Sequence, residues 1–114
     1  MAISSTLVSN TPVAISPTLT TDMAVTVMMF CNLNTLDPLD ETIGRQYLDI
    51  YLVADGSTPD TVFGENKIAN QIPVDAGDTF TFSAERLVLS SGDRVWAATT
   101  DAGQVSVTIS YVVI

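Results

Sequence analysis

The chain closes on Val105-Ser-Val-Thr-Ile-Ser-Tyr-Val-Val-Ile114, a stretch in which apolar and hydroxyl side chains alternate. A period of two places every second side chain on the same face of a β-strand, so this stretch predicts a strand with one buried face. Further segments towards the N-terminus have the length and apolar content of strands. They are residues 23–33, 46–54, 67–74, 79–82, 87–89 and 95–99.

Turn residues separate these segments. Two similar turns, Asp75-Ala-Gly-Asp78 and Ser90-Ser-Gly-Asp93, each place a Gly where φ can be positive and an Asp beside it. No apolar period of 3.6 persists for the roughly 11 residues of an average helix, and the best helical candidates are single turns near residues 40–45 and 83–87. The pattern predicts an all-β chain, a single β-sandwich of roughly seven to nine strands, jelly-roll-like or immunoglobulin-like. The Cys…Trp…Cys spacing of a true immunoglobulin domain is absent.

The alternation also predicts which side chains share a face. For residues 23–33, one face is expected to carry Val25, Val27, Met29 and Cys31, and the other Ala24, Thr26, Met28 and Phe30. Both faces are largely apolar, so this segment is expected at the centre of a sheet, with Cys31 as a buried and inert thiol. For residues 46–54, the inward side chains are expected to be Leu48, Ile50, Leu52 and Ala54.

Residues 1–21 carry no charged side chain and mix Ser and Thr with apolar residues. We interpret them either as two short edge strands, about 4–9 and 13–16, or as an extended arm, because prolines confine such segments to sheet edges or irregular structure. An uncharged arm can add itself to the sheet edge of a neighbouring subunit. The expected organisation is therefore this N-terminal segment followed by a β-sandwich domain over residues 22–114. The candidate partner-interface residues are Ile3, Leu7, Val8, Val13, Ile15 and Leu19.

Charge excludes several classes of partner. The chain has 114 residues, with 13 acidic and 4 basic side chains and a net charge of −9. The basic residues are scattered singly, so we expect neither nucleic-acid binding, which needs clustered Lys and Arg, nor attraction to an anionic membrane. Only 15% of the residues are charged, which indicates either that partner subunits cover part of the surface or that a surface rich in Ser and Thr keeps the chain soluble without charge. The first residues lack the basic and long apolar segments of a signal peptide.

Catalytic constellations are missing as well. The chain has no histidine and a single cysteine, which removes Ser-His-Asp and Cys-His catalysis, histidine metal ligands and an intrachain disulfide. Acidic residues at 37–41 and 55–60 could supply calcium ligands or a carboxylate pair, but they stand among turn residues, where Asp is favoured for backbone reasons. We therefore expect no enzyme, no cofactor and no metal site.

The second half of the chain carries a resemblance to a known group of proteins. The residues concerned are Ile72-Pro-Val-Asp-Ala-Gly-Asp-Thr-Phe80, Leu87-Val-Leu-Ser-Ser-Gly-Asp-Arg-Val-Trp-Ala97 and Val105-Ser-Val-Thr-Ile-Ser-Tyr111. Over residues 67–113 this pattern resembles small virion structural proteins of tailed bacteriophages, including marine and cyanobacterial phages. The resemblance implies a virion component made in the bacterial cytoplasm and supplies no functional residue.

The expected function is that of a capsid decoration or cement protein. Its partners are expected to be other virion proteins, above all the major capsid protein, and further copies of itself, with a trimer favoured. One alternative is a neck, baseplate or tail-fibre component. A second alternative is a carbohydrate- or receptor-binding β-sandwich, for which the candidate stacking residues are Tyr47, Tyr51, Trp96 and Tyr111.

Overall fold

The computed structural model describes residues 2–17, 20–83 and 87–114, which form an all-β domain of nine strands without a helix. The strands are β1 (Ala2–Leu7), β2 (Val13–Ala14), β3 (Met23–Asn32), β4 (Gln46–Val53), β5 (Lys67–Val74), β6 (Thr79–Phe82), β7 (Leu87–Leu89), β8 (Arg94–Ala98) and β9 (Val105–Val113). Two antiparallel sheets pack face to face, so the predicted β-sandwich is confirmed.

The strand order is that of a jelly roll. Sheet A has the order β1-β9-β3-β6, and sheet B has the order β2-β8-β4-β5. Strand β7 also pairs with β3, in line with β6, so that β6 and β7 act as one interrupted strand. The first strand thus pairs with the last, the second with the next to last, and so on inwards to β4 and β5, as in a rolled-up hairpin. In an immunoglobulin-like sandwich the first strand lies beside the second instead, so that alternative is excluded.

The core lies between the two sheets and is lined by the side chains that alternation predicts for β9. Val105, Val107 and Ile109 are fully buried, and they pack with Leu48 and Ile50 of sheet B. Each such side chain contributes roughly 1.5–3 kcal/mol relative to an exposed position. The hydroxyl side chains of β9 therefore point away from the core, to the outer surface of sheet A.

A β-bulge corrects the predicted faces of β3. The register with β9 shifts between Val25 and Val27, which reverses the alternation from that point on. The prediction that Val25, Val27, Met29 and Cys31 share a face is therefore wrong, because Val25 faces the core whereas Val27, Met29 and Cys31 lie on the outer side. The core-facing side chains are Met23, Val25, Met28, Phe30 and Asn32. Sequence alternation alone misses the bulge because Thr26 and its neighbours are compatible with either face.

The prediction for β4 is partly wrong. Leu48 and Ile50 are buried and Leu52 packs against the core, but Ala54 is exposed because the strand ends at Val53. Tyr51 and Val53 are also buried, although they are not part of the main core cluster.

The two turns predicted from the sequence are present in the structure. Gly77 and Gly92 have φ values of 79° and 90°, as the two predicted turns require. In these turns Asp78 N–H donates to Asp75 O and Asp93 N–H to Ser90 O, both at 3.0 Å. Residues 41–44 form turns without a helix, and the candidate helical turn at 83–87 lies largely outside the described residues.

Buried polar side chains fix one end of the sandwich. Asn32 Nδ2 donates to the carbonyls of Gly44 and Val74, each at 2.8 Å, and its Oδ1 accepts from the N–H of Asn34 at 3.0 Å. These bonds tie the loop after β3 to the end of β5. The loop therefore starts and ends at fixed points of the core.

Candidate assembly surface

The strands of sheet A contain no charged residue. None of the residues in β1, β3, β6, β7 and β9 is charged, although the chain has 13 acidic and 4 basic residues. Within residues 2–17, 20–83 and 87–114, the charged residues lie in loops and in sheet B. Since a strand with one solvated face usually carries some charge there, the outer side of sheet A is the unusual surface of this molecule.

The outer side of sheet A is assembled from residues that face each other across neighbouring strands. Ser106, Thr108 and Ser110 of β9 alternate with buried residues and are therefore directed outwards. They are flanked on one side by β1 and on the other by β3. We call the following set the uncharged face: Ile3, Ser5, Leu7, Ala24, Thr26, Val27, Met29, Cys31, Thr79, Thr81, Val88, Ser106, Thr108, Ser110 and Val112.

The uncharged face combines small hydroxyl side chains with exposed apolar ones. Ile3 is 70% exposed and Met29 is 42% exposed, while Leu7, Val88 and Val112 are also exposed. Within the face, Ser5 and Thr108 hydroxyls are 3.3 Å apart, and Thr26 Oγ1 donates to Ser110 O at 2.9 Å. The hydroxyl groups thus meet part of their hydrogen-bonding need inside the sheet, which lowers the cost of removing water from them.

Sheet B presents the opposite character. On its outer side Lys67 Nζ lies 3.6 Å from Asp49 Oδ1 and 5.3 Å from the ring centroid of Tyr51. Asp49 Oδ1 also accepts from the N–H of Gln71 at 2.8 Å. Arg94 is paired in register with Val53 on the same sheet. The outer side of sheet B therefore carries charged side chains, with Lys67 and Asp49 exposed by 19% and 24%, and the two sides of the sandwich differ in what they can contact.

The predicted interface residues are divided between the core and the surface. Ile3 and Leu7 are exposed on the uncharged face, whereas Val8 and Ile15 are fully buried in the domain's own core. Val13 packs against that core, and Leu19 lies outside the described residues. Residues 2–7 form an edge strand along β9, and residues 13–14 pair with β8.

Exposed apolar side chains also occur in two loops. In the loop between β3 and β4, Leu39 is 95% exposed, and in the loop between β4 and β5, Phe63 is 89% exposed. Both loops are shaped by aspartates that accept backbone hydrogen bonds. Asp37 accepts from Leu39 N–H at 2.9 Å, and Asp60 accepts from Phe63 N–H at 2.9 Å. The aspartates thus hold these apolar tips in defined positions.

Three of the acidic residues considered for catalysis or calcium, Asp37, Asp40 and Asp60, accept backbone hydrogen bonds within their own turns. Backbone hydrogen bonds, that of Phe63 first, lower the pKa of Asp60, and the Thr42 hydroxyl and N–H lower the pKa of Asp40. Asp75 pairs with Arg45. Within residues 2–17, 20–83 and 87–114, no three acidic or thiol side chains converge in a way that could hold a metal ion. In the same residues, no helix has the length and apolar character needed to cross a bilayer.

The aromatic candidates for stacking are also dispersed. Tyr51 is buried, and Tyr111 is partly buried against the core. Tyr47 is exposed on sheet B, and Trp96 is half-buried there beside an open depression of about 160 Å³ that Asp55 and Arg94 also line.

Most of the uncharged face is not evident from the sequence. In the sequence of β9, Ser106, Thr108 and Ser110 are only the polar half of an alternation, and Met29 lies in a segment that is apolar on both faces. The available signal was the absence of charge in five strands, but it becomes a surface property only when those strands are known to share one sheet. Cys31 was expected to be buried, yet it is half-buried and belongs to this face.

Comparisons with known proteins add no relative from which a role could be transferred. No protein-family model matches the chain, and no curated protein is significantly similar to it.

Proposed function

We propose that the protein is a structural subunit that works by assembly, as a virion component of a tailed bacteriophage that decorates and stabilises the capsid. The observation that carries this proposal is the absence of charged residues from the five described strands of sheet A. The uncharged face is proposed to contact the major capsid protein or another virion protein, and further copies of the chain are proposed to take part. This role needs no catalytic group and no cofactor.

Desolvation explains why an uncharged face suits an assembly role. Burying an unpaired carboxylate or ammonium group at an interface costs several kcal/mol, whereas a hydroxyl or apolar side chain costs little or contributes favourably. The remaining surface keeps a net charge of −9, which favours solubility and repels packaged DNA. A subunit of this kind fits the outer surface of a capsid, with the uncharged face towards the particle.

The fold and the sequence resemblance support the same role. Jelly rolls are common among viral capsid proteins, although lectins and cupins use them too, so the fold by itself does not choose a function. The segment that resembles tailed-phage virion proteins spans β5 to β9. It includes β9, which pairs with β3 in sheet A and contributes side chains to the uncharged face. A position in the neck, baseplate or tail fibre would use the same surface chemistry.

Two matched variants test the proposal. Met29 and Tyr47 are similarly exposed, at 42% and 45%, but lie on the outer sides of sheet A and sheet B respectively. The wild-type chain is expected in purified particles of the virus that encodes it. Met29→Lys should abolish incorporation because it places an unpaired charge in the contact, and Tyr47→Lys should leave incorporation unchanged. The free energy of unfolding of both variants should lie within about 1 kcal/mol of the wild-type value, since substitutions at exposed positions usually have small effects on stability.

Three results would contradict the proposal. One is absence of the chain from purified particles. The others are equal incorporation of both variants and loss of incorporation through Tyr47→Lys alone, because either would show that sheet A does not make the contact.

Carbohydrate binding is a second candidate, which the position of Trp96 favours. Its half-buried indole lies beside a depression that Asp55 and Arg94 also line, a combination of aromatic and polar groups that suits a sugar ring. Trp96→Ala would then abolish retention on a host polysaccharide without unfolding the domain. Retention that is unchanged in this variant would rule out that site.

A further inference from the structure

We propose that two copies of the chain pair through the free edges of β1, in an antiparallel arrangement whose two-fold axis passes through Ser5. This inference rests on the proposed function, because it names one contact through which the subunits assemble. The two sheets A would then form one continuous sheet across the pair.

Comparison of the four sheet edges identifies β1 as the open one. Strand β2 has only two residues, and β6 and β7 have four and three. Strand β5 has eight residues, but it contains Lys67 and Pro73, its pairing with β4 is irregular, and Gln71 has a φ of 48°. Short length, charge, proline and irregularity are the features that protect natural edges from pairing. Strand β1 has six regular residues and none of these protections.

The hydrogen-bond pattern shows which groups of β1 are available. Val8 N–H donates to Val105 O, and Gly103 N–H donates to Val8 O, both at 2.9 Å, so Val8 directs both backbone groups towards β9. In an antiparallel ladder the direction alternates along the strand, so Ser4 and Thr6 share the direction of Val8. Ile3, Ser5 and Leu7 therefore direct their N–H and C=O groups to the free edge.

The side chains select one register among those that this alternation allows. With the axis at Ser5, Ile3 of one copy lies opposite Leu7 of the second copy, and Ser5 lies opposite Ser5. This register covers the two exposed apolar side chains of β1 with each other and forms about six backbone hydrogen bonds across the pair. Moving the axis to Ser4 or Thr6 places Ile3 or Leu7 opposite Ser5 and shortens the ladder.

Charge explains why the occupant of this edge is a second copy. A copy brings another net charge of −9, and like charges directly opposite each other destabilise strand pairs. Pairing through β1 brings only uncharged side chains together. An antiparallel contact of one edge with itself is isologous and closes at two copies. The unit that follows is therefore a dimer, which differs from the trimer favoured in the sequence analysis.

Cysteine cross-linking tests the register in the full chain with Cys31→Ser as background. The axis at Ser5 places the two Ser5 Cα atoms about 5.5 Å apart, within the range that a disulfide spans. The two Ile3 Cα atoms lie about 14 Å apart, because four residues along the strand and the spacing between the two strands separate them. Ser5→Cys is expected to give a covalent dimer with mild oxidant or a short bifunctional thiol reagent, and Ile3→Cys is expected not to. Equal cross-linking of both variants, or of neither, would overturn the register.

A proline pair tests the edge itself, with self-association measured by sedimentation over a concentration series. Ser5→Pro removes an N–H that points to the free edge, so the domain should fold while self-association weakens by about tenfold or more, given the loss of two central hydrogen bonds. Ser5→Thr keeps the N–H and should associate like the wild type. A wild-type monomer throughout the series, a wild-type trimer, or unchanged association of Ser5→Pro would overturn the proposal.

The results separate this inference from the proposed function. If Ser5→Pro is monomeric but still enters particles, both stand and the dimer is dispensable for incorporation. If the wild type is found in particles and never dimerises, the edge pairing is wrong and the virion role stands. If the wild type dimerises in the predicted register but is absent from particles, the edge pairing stands and the virion role is wrong.

Discussion

Removing the side chain of Asn32 is expected to destabilise the domain more than any surface substitution. Asn32 is 1% exposed and takes part in three hydrogen bonds, at 2.8, 2.8 and 3.0 Å. In Asn32→Ala the Gly44 carbonyl keeps a second donor, Asn34 Nδ2 at 2.9 Å. The Val74 carbonyl and the Asn34 N–H lose the bond that Asn32 supplies.

The expected loss follows from these contacts. A net contribution of about 0.5–1.5 kcal/mol for each of three bonds, with the Val74 carbonyl in a buried site and the Asn34 N–H in a half-buried one, gives about 2–4 kcal/mol. That is a large part of the roughly 5–15 kcal/mol by which a domain is stable. Urea unfolding followed by tryptophan fluorescence, with Trp96 as the single reporter, measures it directly.

The matched control is Asn34→Ala. Asn34 is half-buried and its side chain makes one hydrogen bond, to Gly44 O, so its removal is expected to cost about 1 kcal/mol. A cost below 1 kcal/mol for Asn32→Ala, or a cost equal to that of Asn34→Ala, would refute the view that Asn32 fixes this end of the sandwich.

Two further predictions concern turns. Gly77 and Gly92 both have positive φ, but an added Cβ meets nothing at Gly77 and collides with the Asp55 carboxylate at Gly92. Gly77→Ala and Gly92→Ala should therefore each cost about 1 kcal/mol for the backbone conformation, since the exposed Asp55 carboxylate can rotate away from the new methyl group; a much larger cost at Gly92 by urea unfolding would contradict this. Asp60 has a lowered pKa because the N–H of Phe63 and neighbouring N–H groups bind its carboxylate. Its stabilising effect is complete above its ordinary pKa of 3.8 and is lost as pH falls below that value, so the stability difference between wild type and Asp60→Asn should shrink from pH 7 to pH 3.

The strands could be predicted from the sequence because their signals are local. The alternation of Val105, Val107 and Ile109 with hydroxyl residues places β9 and its buried face correctly, and the Gly-Asp turns mark where strands end. The bulge at Thr26 could not be predicted, since it arises from the pairing of β3 with β9 rather than from the sequence of β3. In the sequence, Asn32 and Gln46 cannot be distinguished from exposed polar residues. Their burial and their hydrogen-bond partners are seen only in the folded domain.

The candidate surface was less accessible to sequence reasoning than the fold. The lack of charge in residues 1–21 pointed to Ile3 and Leu7, which are exposed, but equally to Val8 and Ile15, which the domain uses for its own core. Nested pairing of the first strand with the last decides which side chains share a face, and single-strand patterns carry no information on strand order. The uncharged face therefore follows only from the topology.

Hydroxyl-radical footprinting of the free chain and of the chain on particles tests the central claim most directly. Met29 and Tyr47 are both readily oxidised and similarly exposed in the free chain, at 42% and 45%, and they report on sheet A and sheet B respectively. The proposed assembly predicts that Met29 becomes protected on the particle while Tyr47 reacts as before. Unchanged oxidation of Met29, or protection of Tyr47 instead, would contradict the assignment of the uncharged face as the assembly surface.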